Sequence, residues 1–371
     1  MDRASGLKIA VDGRPALWGK SGIGTIAANF ISRIEAADPA NRYWFYFDRP
    51  TDGLLPCCPT RCRVGRIANP FLWANTWLPA ALRRDSIDIY ISFLEKDTPW
   101  ISGRTKVVTM VHDLIPLRFP ETMFRNALHS IYYRSLLAAS IRKSHCILTN
   151  SAYSLREISE GFPQASAKLR QITLGVSVDE RQMEPVCEVR GKYKIPGSYF
   201  LAIGSTEPRK NNAAVIRAFN LLRSEQPELS LAIVGKTWRG RQFPAQLLNE
   251  QVVQVGAVSD GELWTLMANA VALVFPSLHE GFGLPVVDSM ALGAPVITSR
   301  RGALPEVGGE AVAYVDPESD ESICMQMRNL LSDRSLRRTL GERGRERASL
   351  FRWDKMCEEV VALYPEMLAA R

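Results

Sequence analysis

The feature that most constrains this sequence is a series of short, continuously apolar segments, each followed by a stretch with helical spacing. Strands that are apolar on both faces are typical of parallel sheets covered by helices. The pattern therefore predicts an α/β fold built on parallel sheets. The predicted strands lie at 7–12, 43–48, 88–93, 106–111, 145–149, 199–204, 229–235, 270–276 and 295–299.

The length of the chain and one polar segment indicate two domains. At about 100–200 residues per domain, 371 residues are too many for one compact unit. The stretch 176–198 is polar, contains two prolines and interrupts the apolar pattern, as an interdomain linker does. We therefore predict domains at 1–180 and 190–353, with a C-terminal helix at about 354–371 that packs back on the first domain.

Several classes of protein are disfavoured by local composition. No window reaches the roughly 18 uncharged apolar residues of a membrane span, and Asp12 and Arg14 lie where a signal peptide would be apolar. The seven cysteines are odd in number and scattered, and Cys57, Cys58 and Cys62 lack a second ligand pair at zinc spacing. These features predict a cytoplasmic protein with reduced thiols and no zinc site.

The positive charge is concentrated in the first half of the chain. Residues 1–186 carry 24 Lys and Arg against 17 Asp and Glu, whereas residues 187–371 carry 22 of each. A basic half favours a phosphate-bearing partner or an acidic surface, and the neutral half argues against a nucleic-acid partner.

Two basic and aromatic segments of the first half could contact an anionic membrane at the inner face of the cell membrane. The alternative is that their aromatic rings are core and their arginines are solvated, and both interpretations stay open. The first segment contains Arg61, Arg63, Arg66, Phe71, Trp73, Trp77, Arg83 and Arg84, and the second contains Arg118, Phe124, Arg125, Tyr132, Tyr133, Arg134, Arg142 and Lys143.

A glycine-bearing loop follows the first predicted strand. Gly22, Ile23 and Gly24 open the next helix, but the glycine spacing matches neither a Walker A loop nor a dinucleotide fingerprint. Glycines let backbone amides approach an anion at the positive end of a helix. The loop is thus a candidate phosphate contact, with a plain strand-to-helix turn as the alternative.

The second domain opens in the same way, with a basic pair before a helix. Arg209 and Lys210 follow the strand that ends at Gly204 and Ser205. Two cations beside the positive end of a helix are unfavourable unless an anion joins them, so a diphosphate fits here. A solvated basic turn is the alternative for this motif taken alone.

Two acids lie near a third predicted helix start. Glu280 is on a loop that contains Gly281 and Gly283, and Asp288 lies one turn into the helix that follows. A carboxylate can accept hydrogen bonds from two adjacent hydroxyls, which suits a sugar or a ribose. For Asp288 alone, compensation of the helix dipole is the simpler interpretation.

Together these motifs resemble the retaining glycosyltransferases of family four, most closely the bacterial mannosyltransferases of O-antigen and exopolysaccharide synthesis. The resemblance implies the GT-B fold, in which two Rossmann-like domains with parallel sheets face each other across a cleft. The matching segments are 204–211, 256–260, 280–293, 304–309 and 315–317, with 111–116 and 149–154 in the first domain.

The resemblance implies roles for individual residues. Arg209 and Lys210 would bind the donor diphosphate, and Glu280 would bind hydroxyls of the donor sugar. The second acid of the family pattern is Glu, so Asp288, shorter by one bond of about 1.5 Å, puts the ribose contact in doubt. Further donor contacts are implied for Gly22, Ile23, Gly24, Gly204, Ser205, Phe282, Gly283 and Leu284, and His112 would lie near C6 of the sugar.

The predicted function is transfer of a hexose, with mannose favoured, from a nucleotide-diphosphate sugar to a lipid-linked or oligosaccharide acceptor in surface polysaccharide synthesis. A GDP-sugar is favoured over a UDP-sugar, and no cofactor is expected. Because the chain has no Asp-x-Asp motif, Arg209 and Lys210 would supply the charge that a metal otherwise provides. The alternatives are a nucleotide-sugar epimerase or hydrolase on the same fold, and a non-catalytic nucleotide-sugar-binding protein.

Overall fold

A computed structural model describes residues 6–19, 21–51, 53, 61–204, 206–223 and 226–369. The chain forms two compact units, one of Met1–Gly175 with Arg352–Arg371 and one of Val176–Phe351. We call them the first and the second unit.

The first unit contains a seven-stranded sheet in the order β3-β2-β1-β4-β5-β6-β7, and all of its strand pairs are parallel. Its strands are β1 (Lys8–Asp12), β2 (Arg42–Phe47), β3 (Cys62–Val64), β4 (Ile89–Ser92), β5 (Lys106–Met110), β6 (Cys146–Thr149) and β7 (Leu169–Gln171). Its helices are α1 (Gly22–Ala37), α2 (Pro70–Leu72), α3 (Leu78–Asp85), α4 (Ile115–Arg118), α5 (Pro120–Met123), α6 (Ala127–Lys143) and α7 (Ala152–Gly161).

The second unit contains a six-stranded parallel sheet in the order β10-β9-β8-β11-β12-β13. Its strands are β8 (Tyr199–Ile203), β9 (Ser230–Val234), β10 (Val252–Gly256), β11 (Leu273–Phe275), β12 (Val296–Ser299) and β13 (Ala313–Val315). Its helices are α8 (Val186–Tyr193), α9 (Asn212–Arg223), α10 (Asp260–Asn269), α11 (Leu284–Ala291), α12 (Leu304–Gly308), α13 (Asp320–Ser332) and α14 (Arg334–Ala348).

The tail forms α15 (Trp353–Ala362) and α16 (Tyr364–Ala369), which belong to the first unit. The apolar side of α15 packs against α1, and Tyr364 is buried with its hydroxyl 3.2 Å from that of Tyr43. Burial of this apolar stripe is what holds the last helices on the first sheet.

The predicted α/β class with parallel sheets is confirmed, because each of the nine predicted strands lies on an observed one. The four strands that the pattern missed are β3, β7, β10 and β13, and they are the edges of the two sheets. An edge strand is paired on one side only and is commonly short, so it needs no continuous apolar run. Each unit is a Rossmann-like domain.

The segment 176–198 is not a free linker. It contains α8 and lies within the second unit, where α8 packs against α10. Val189 is buried, and the backbone amide of Glu184 donates to Thr265 Oγ1 at 3.0 Å. Many of its residues are polar and face solvent, and only a few of its residues attach it to the rest of the second unit. Its composition therefore resembled that of a linker although the segment is packed.

Two aromatic residues of the proposed membrane segments, Trp73 and Tyr133, are core residues instead, and Trp77 is half-buried against the core. Trp73 is fully buried and stacks on Trp77 with ring centroids 5.2 Å apart, and Tyr133 is buried in the cluster around α6. Phe71 and Tyr132 are exposed. The rings of these segments therefore divide between the core and the surface.

Candidate functional site

Ligands of open parallel sheets bind at the carboxyl ends of the strands, where the strand order reverses direction. In the second sheet this point lies between β8 and β11, and in the first between β1 and β4. Arg209 and Lys210 follow β8, and Glu280 follows β11, so the topology brings these predicted residues together.

The three side chains form a buried ion cluster. Glu280 Oε1 lies 2.8 Å from Arg209 Nη1 and 2.8 Å from Lys210 Nζ. Arg209 also pairs with Glu207 at 2.8 Å and donates to the carbonyl of His279 at 2.7 Å. We call Glu207, Arg209, Lys210 and Glu280 the ion cluster.

The ion cluster corrects one expectation about the basic pair. The repulsion between Arg209 and Lys210 is relieved within the chain, because Glu207 and Glu280 bring the formal charge of the cluster to zero. Glu207, which lies two residues before Arg209, was not singled out as a site residue from the sequence. A diphosphate would therefore compete with carboxylates for these cations.

Backbone geometry positions the ion cluster. Gly204 has φ +103°, and a Cβ there would lie 2.5 Å from Lys210 Cγ, so only glycine lets the lysine stem pass. Gly302, which the sequence analysis did not single out, supports the other side. A Cβ on Gly302 would lie 2.4 Å from the carbonyl oxygen of Glu280, and the next residue, Ala303, donates its amide to that oxygen at 2.9 Å.

The charge of Glu280 is fixed by its neighbours. Burial alone would raise its pKa, but Lys210 and Arg209 outweigh burial and lower the pKa to about 2. At neutral pH Glu280 is therefore ionised and accepts hydrogen bonds without donating any.

The loop after Glu280 leads into α11, which begins at Leu284 behind an N-cap glycine. Gly283 has φ +109°, a conformation that L side chains rarely adopt. The first amides of a helix have no acceptor within it, so the backbone amides of Gly283 and Leu284 provide hydrogen-bond donors at the start of α11. Phe282 is buried edge-on against Phe351, with ring centroids 5.7 Å apart.

Asp288 lies on α11 but has a different environment from Glu280. Its Oδ1 accepts a hydrogen bond of 2.8 Å from the backbone amide of Ser177, at the start of the second unit. Burial raises the pKa of Asp288 to about 7; the Ser177 amide lowers it and the charge of Asp260 raises it. The carboxylate is thus partly committed to the chain itself.

The first unit has its own buried ion group at the corresponding point, which the sequence analysis missed as a site. Arg14 bonds Asp12 at 2.6 Å, lies 3.5 Å from Asp97, and stacks on the Trp73 ring at 3.9 Å. Its pKa is raised: burial lowers it, but the charge and hydrogen bonds of Asp12 outweigh burial. An acid that ends a strand, with a basic residue two positions later, is the signal that could have found it.

The other predicted residues of the first unit also follow carboxyl ends of strands. Ser21 caps α1 by accepting from the amide of Gly24 at 3.0 Å, which leaves Gly22 and Ile23 with the first two amides of the helix. His112 follows β5, is buried, and its Nε2 lies 3.0 Å from the carbonyl oxygen of Phe93. Ser205 lies outside the described residues.

A cavity of about 490 Å³ at the carboxyl ends of β9 and β10 was not predicted. Its volume suits a small organic ligand. The only sequence signal was a glycine and a lysine directly after a strand. It is lined by Ile233, Gly235, Lys236, Thr237, Phe243, Gln254, Gly256 and Ala257.

Two structural observations concern the predictions about metal and membrane. Among the residues that the structure describes, no group of three or more His, Cys, Asp or Glu side chains is arranged to hold a metal ion. Over the same residues, no helix combines the length and the apolar character that crossing a membrane requires. Metal independence and cytoplasmic location stay predictions.

Comparison with known proteins gives matches in sequence and in structure. The family model described as glycosyl transferases group 1 matches residues 189–347. The O-antigen chain mannosyltransferase B of Escherichia coli is 30% identical over 269 residues, which cover 70% of this chain and 70% of that protein. The serotype-specific mannosyltransferase WbdA of Escherichia coli is 28% identical over 275 residues, or 71% of this chain; the match spans about a third of WbdA, 33% of its length.

Among solved structures, Anabaena Alr3699/HepE in complex with UDP and glucose superimposes with a TM-score of 0.72 and 16% sequence identity. The match covers 97% of this chain and 100% of that chain. At this identity the likeness concerns the fold.

Proposed function

Because the chain belongs to the glycosyl transferases of group 1 and has the GT-B fold, as its motifs predicted, we propose that it transfers a hexose from a nucleotide-diphosphate sugar. The acceptor is a hydroxyl of a lipid-linked or oligosaccharide substrate in surface polysaccharide synthesis. Mannose is the favoured sugar, since two relatives that match over most of this chain are named as a serotype-specific mannosyltransferase and an O-antigen chain mannosyltransferase. The observation that carries the proposal is the ion cluster at the switch point of the second sheet.

The ion cluster suits the departure of a diphosphate. Arg209 and Lys210 are held beside Glu280, and a donor that brings its own negative charges takes over Lys210 while Glu207 retains Arg209. Charges that are already in place stabilise a leaving group without reorganisation in the transition state. Glu280 then binds hydroxyls of the sugar, and the amides at Phe282, Gly283 and Leu284 bind the sugar and its phosphates.

In this proposal the transfer retains the configuration of the sugar. The acceptor attacks from the side of the leaving group, and a donor phosphate oxygen takes its proton, so no protein base is required. Catalysis comes from positioning and from stabilisation of the diphosphate. The cavity beside β9 and β10 holds the base, which we take to be guanine rather than uracil. Contact of the donor with His112 and Gly22–Gly24 stays a prediction.

The test is acceptor-dependent release of nucleoside diphosphate. Incubation with GDP-mannose and a lipid-linked oligosaccharide should release GDP and yield an elongated acceptor with the same anomeric configuration as the donor sugar. Release without acceptor would indicate a hydrolase, an altered sugar on the intact donor would indicate an epimerase, and binding without turnover would indicate a non-catalytic protein. EDTA should leave the rate unchanged, and inhibition reversed by magnesium or manganese would overturn metal independence.

We further propose that the first unit meets an anionic membrane through the exposed face of α6. Leu128, Ile131 and Tyr132 are 75%, 62% and 56% exposed at helical spacing, with Arg125 and Arg134 exposed beside them. Exposed apolar side chains with arginines nearby suit a leaflet of anionic lipid, and the attraction is screened within about 10 Å at 0.1 M salt. Sedimentation with phosphatidylglycerol vesicles should show binding at low salt, release at high salt, and loss of binding in Leu128→Ser.

A further inference from the structure

A basic cavity lies on the first unit at the amino ends of β6 and β7. It encloses about 360 Å³, close to the lower limit of small-molecule pockets. The four residues of β6 and the three of β7, at about 3.3 Å per residue, separate it from the carboxyl ends where ligands of such sheets bind. It is lined by Arg142, Lys143, Ser144, His145, Cys146, Ala167, Lys168, Arg170, Glu366 and Met367.

Two of its four cations are already used by the chain. Lys168 Nζ donates to the carbonyls of Ile141, Arg142 and Ser144 at 3.2, 3.1 and 2.9 Å and so caps the end of α6. Arg170 pairs with Glu366, the one acid among the described residues that line the cavity. These contacts fix the wall of the cavity rather than its ligand.

The other two cations, Arg142 and Lys143, are exposed at the end of α6, and in the described ranges of the chain neither has an acidic partner. Their charges therefore add to those of Lys168 and Arg170, and one carboxylate offsets four cations. An unbalanced positive concavity concentrates anions.

His145 adds a directed donor. Its Nδ1 accepts from the backbone amide of Val107 at 3.1 Å, so in the neutral ring the proton is on Nε2. Burial lowers the pKa of His145, and the charges of Lys106 and Lys168 lower it further. The ring is thus a neutral donor in a positive field, which suits an anion and not a metal.

We propose that this cavity is a second anion site, which binds the phosphate group of a small phosphorylated ligand through Arg142, Lys143 and His145. Guanidinium and ammonium groups form charge-assisted bonds to phosphate oxygens, and the volume leaves room for a body of about sugar size beside the phosphate. The site is distinct from the donor site proposed above, because none of the residues that line it is among the proposed donor contacts.

The test is calorimetry with pyrophosphate in the presence of saturating GDP, which occupies the donor site. The full-length protein should bind pyrophosphate, and Arg142→Gln combined with Lys143→Gln should weaken binding at least tenfold. The matched control is Arg83→Gln combined with Arg156→Gln, which removes the same charge from exposed positions of the same unit and should bind normally. Equal binding by both double variants, or no binding by the unaltered protein, would overturn the proposal.

A second readout is the His145 ring in NMR titrations. Pyrophosphate should raise the pKa of His145, because an anion offsets the cations that face it: Lys106 of β5, Lys168 and Arg170 beside β7, and Arg142 and Lys143 of α6, with Glu366 of α16 as the only acid. An unchanged His145 titration would place any bound anion elsewhere. Dihexanoyl phosphatidic acid as a soluble lipid decides the source, since tighter binding than pyrophosphate assigns a lipid headgroup and weaker binding assigns a soluble phosphate.

Discussion

Glu280 and Asp288 lie eight residues apart in one loop and helix, and both carboxylates are buried, yet their pKa values move in opposite directions. In the ion cluster, Lys210 and Arg209 hold the pKa of Glu280 at about 2. At the Ser177 contact, burial acts against one backbone amide and raises the pKa of Asp288 to about 7. Burial is common to both, so the difference comes from the formal charges that each carboxylate touches.

The difference separates two kinds of site. The ion cluster keeps a permanent charge distribution that does not change near neutral pH, which is what stabilisation of a leaving diphosphate requires. At the Ser177 contact the charge of the Asp288 carboxylate changes near neutral pH, and the backbone amide that binds this carboxylate is uncharged. The following experiments test that separation.

The largest effect is expected for Glu280→Gln. The substitution keeps the shape of the side chain but removes the anion that Lys210 shares with Arg209, so turnover should fall about 10³-fold and stability by about 3 kcal/mol. Steady-state kinetics and thermal melts measure the two losses. Glu318→Gln, which breaks an exposed pair with Arg301, is the control and should change neither. A Glu280→Gln enzyme with normal turnover would remove Glu280 from the site.

The next effect is expected for Lys210→Ala. The lysine contributes one donor to the departing diphosphate, so kcat should fall about 10²-fold, the lower end of the range for one such group. Arg217→Ala is a matched control, because Arg217 pairs with Asp320 at the surface of the same unit. If both variants lose the same activity, the loss reflects charge on the unit rather than the ion cluster.

A smaller effect is expected when nucleotide binding is compared between the two acids. If Asp288 reaches the ribose, Asp288→Ala should weaken binding of free GDP about tenfold, the value of one hydrogen bond to a charged group. Glu280→Ala should weaken only binding of the sugar donor. Calorimetry measures both, and normal GDP binding by Asp288→Ala would leave Asp288 as a partner of the helix dipole and of Ser177.

The sequence predicted the interior strands of both sheets and missed the edge strands. The nine predicted strands are covered on both faces, and burial on both faces requires continuous runs of apolar residues. At the edges, β3, β7 and β13 have three residues each, and β10 exposes part of its length. Their pairing is decided by neighbouring strands, so no local pattern marks them.

The sequence singled out side chains that stand in a local motif, whereas it gave no signal for a contact made by a backbone group. The motifs around Lys210 and Glu280 pointed to residues that the topology joins across 70 positions. Ser177 is 111 residues from Asp288, and it contributes a backbone amide, a group that every residue but proline has. The identity of the Ser177 side chain therefore could not predict this backbone contact.

The smallest effect concerns the free energy of unfolding. The Asp288→Asn variant separates the part of it that depends on the charge of Asp288. The ordinary pKa of Asp is about 3.9, and in the folded chain that of Asp288 is raised to about 7, so between these values the folded state binds the proton more tightly. The free energy of unfolding should therefore fall as pH rises from about 4 to 7 and level off above, since the slope follows the excess of protons bound by the unfolded state, which is negative here.

Asn cannot ionise, yet its Oδ1 can still accept from the Ser177 amide. Asp288→Asn should match the unaltered protein near pH 4 and exceed it at pH 8 by on the order of 1 kcal/mol, because relaxation around a buried carboxylate offsets much of the cost of its charge. Thermal melts at both pH values, with the exposed Glu250→Gln as control, measure the difference. Equal destabilisation of Asp288→Asn at both pH values would mean that Asp288 is ionised in the folded protein, and that the two acids differ in partner but not in charge.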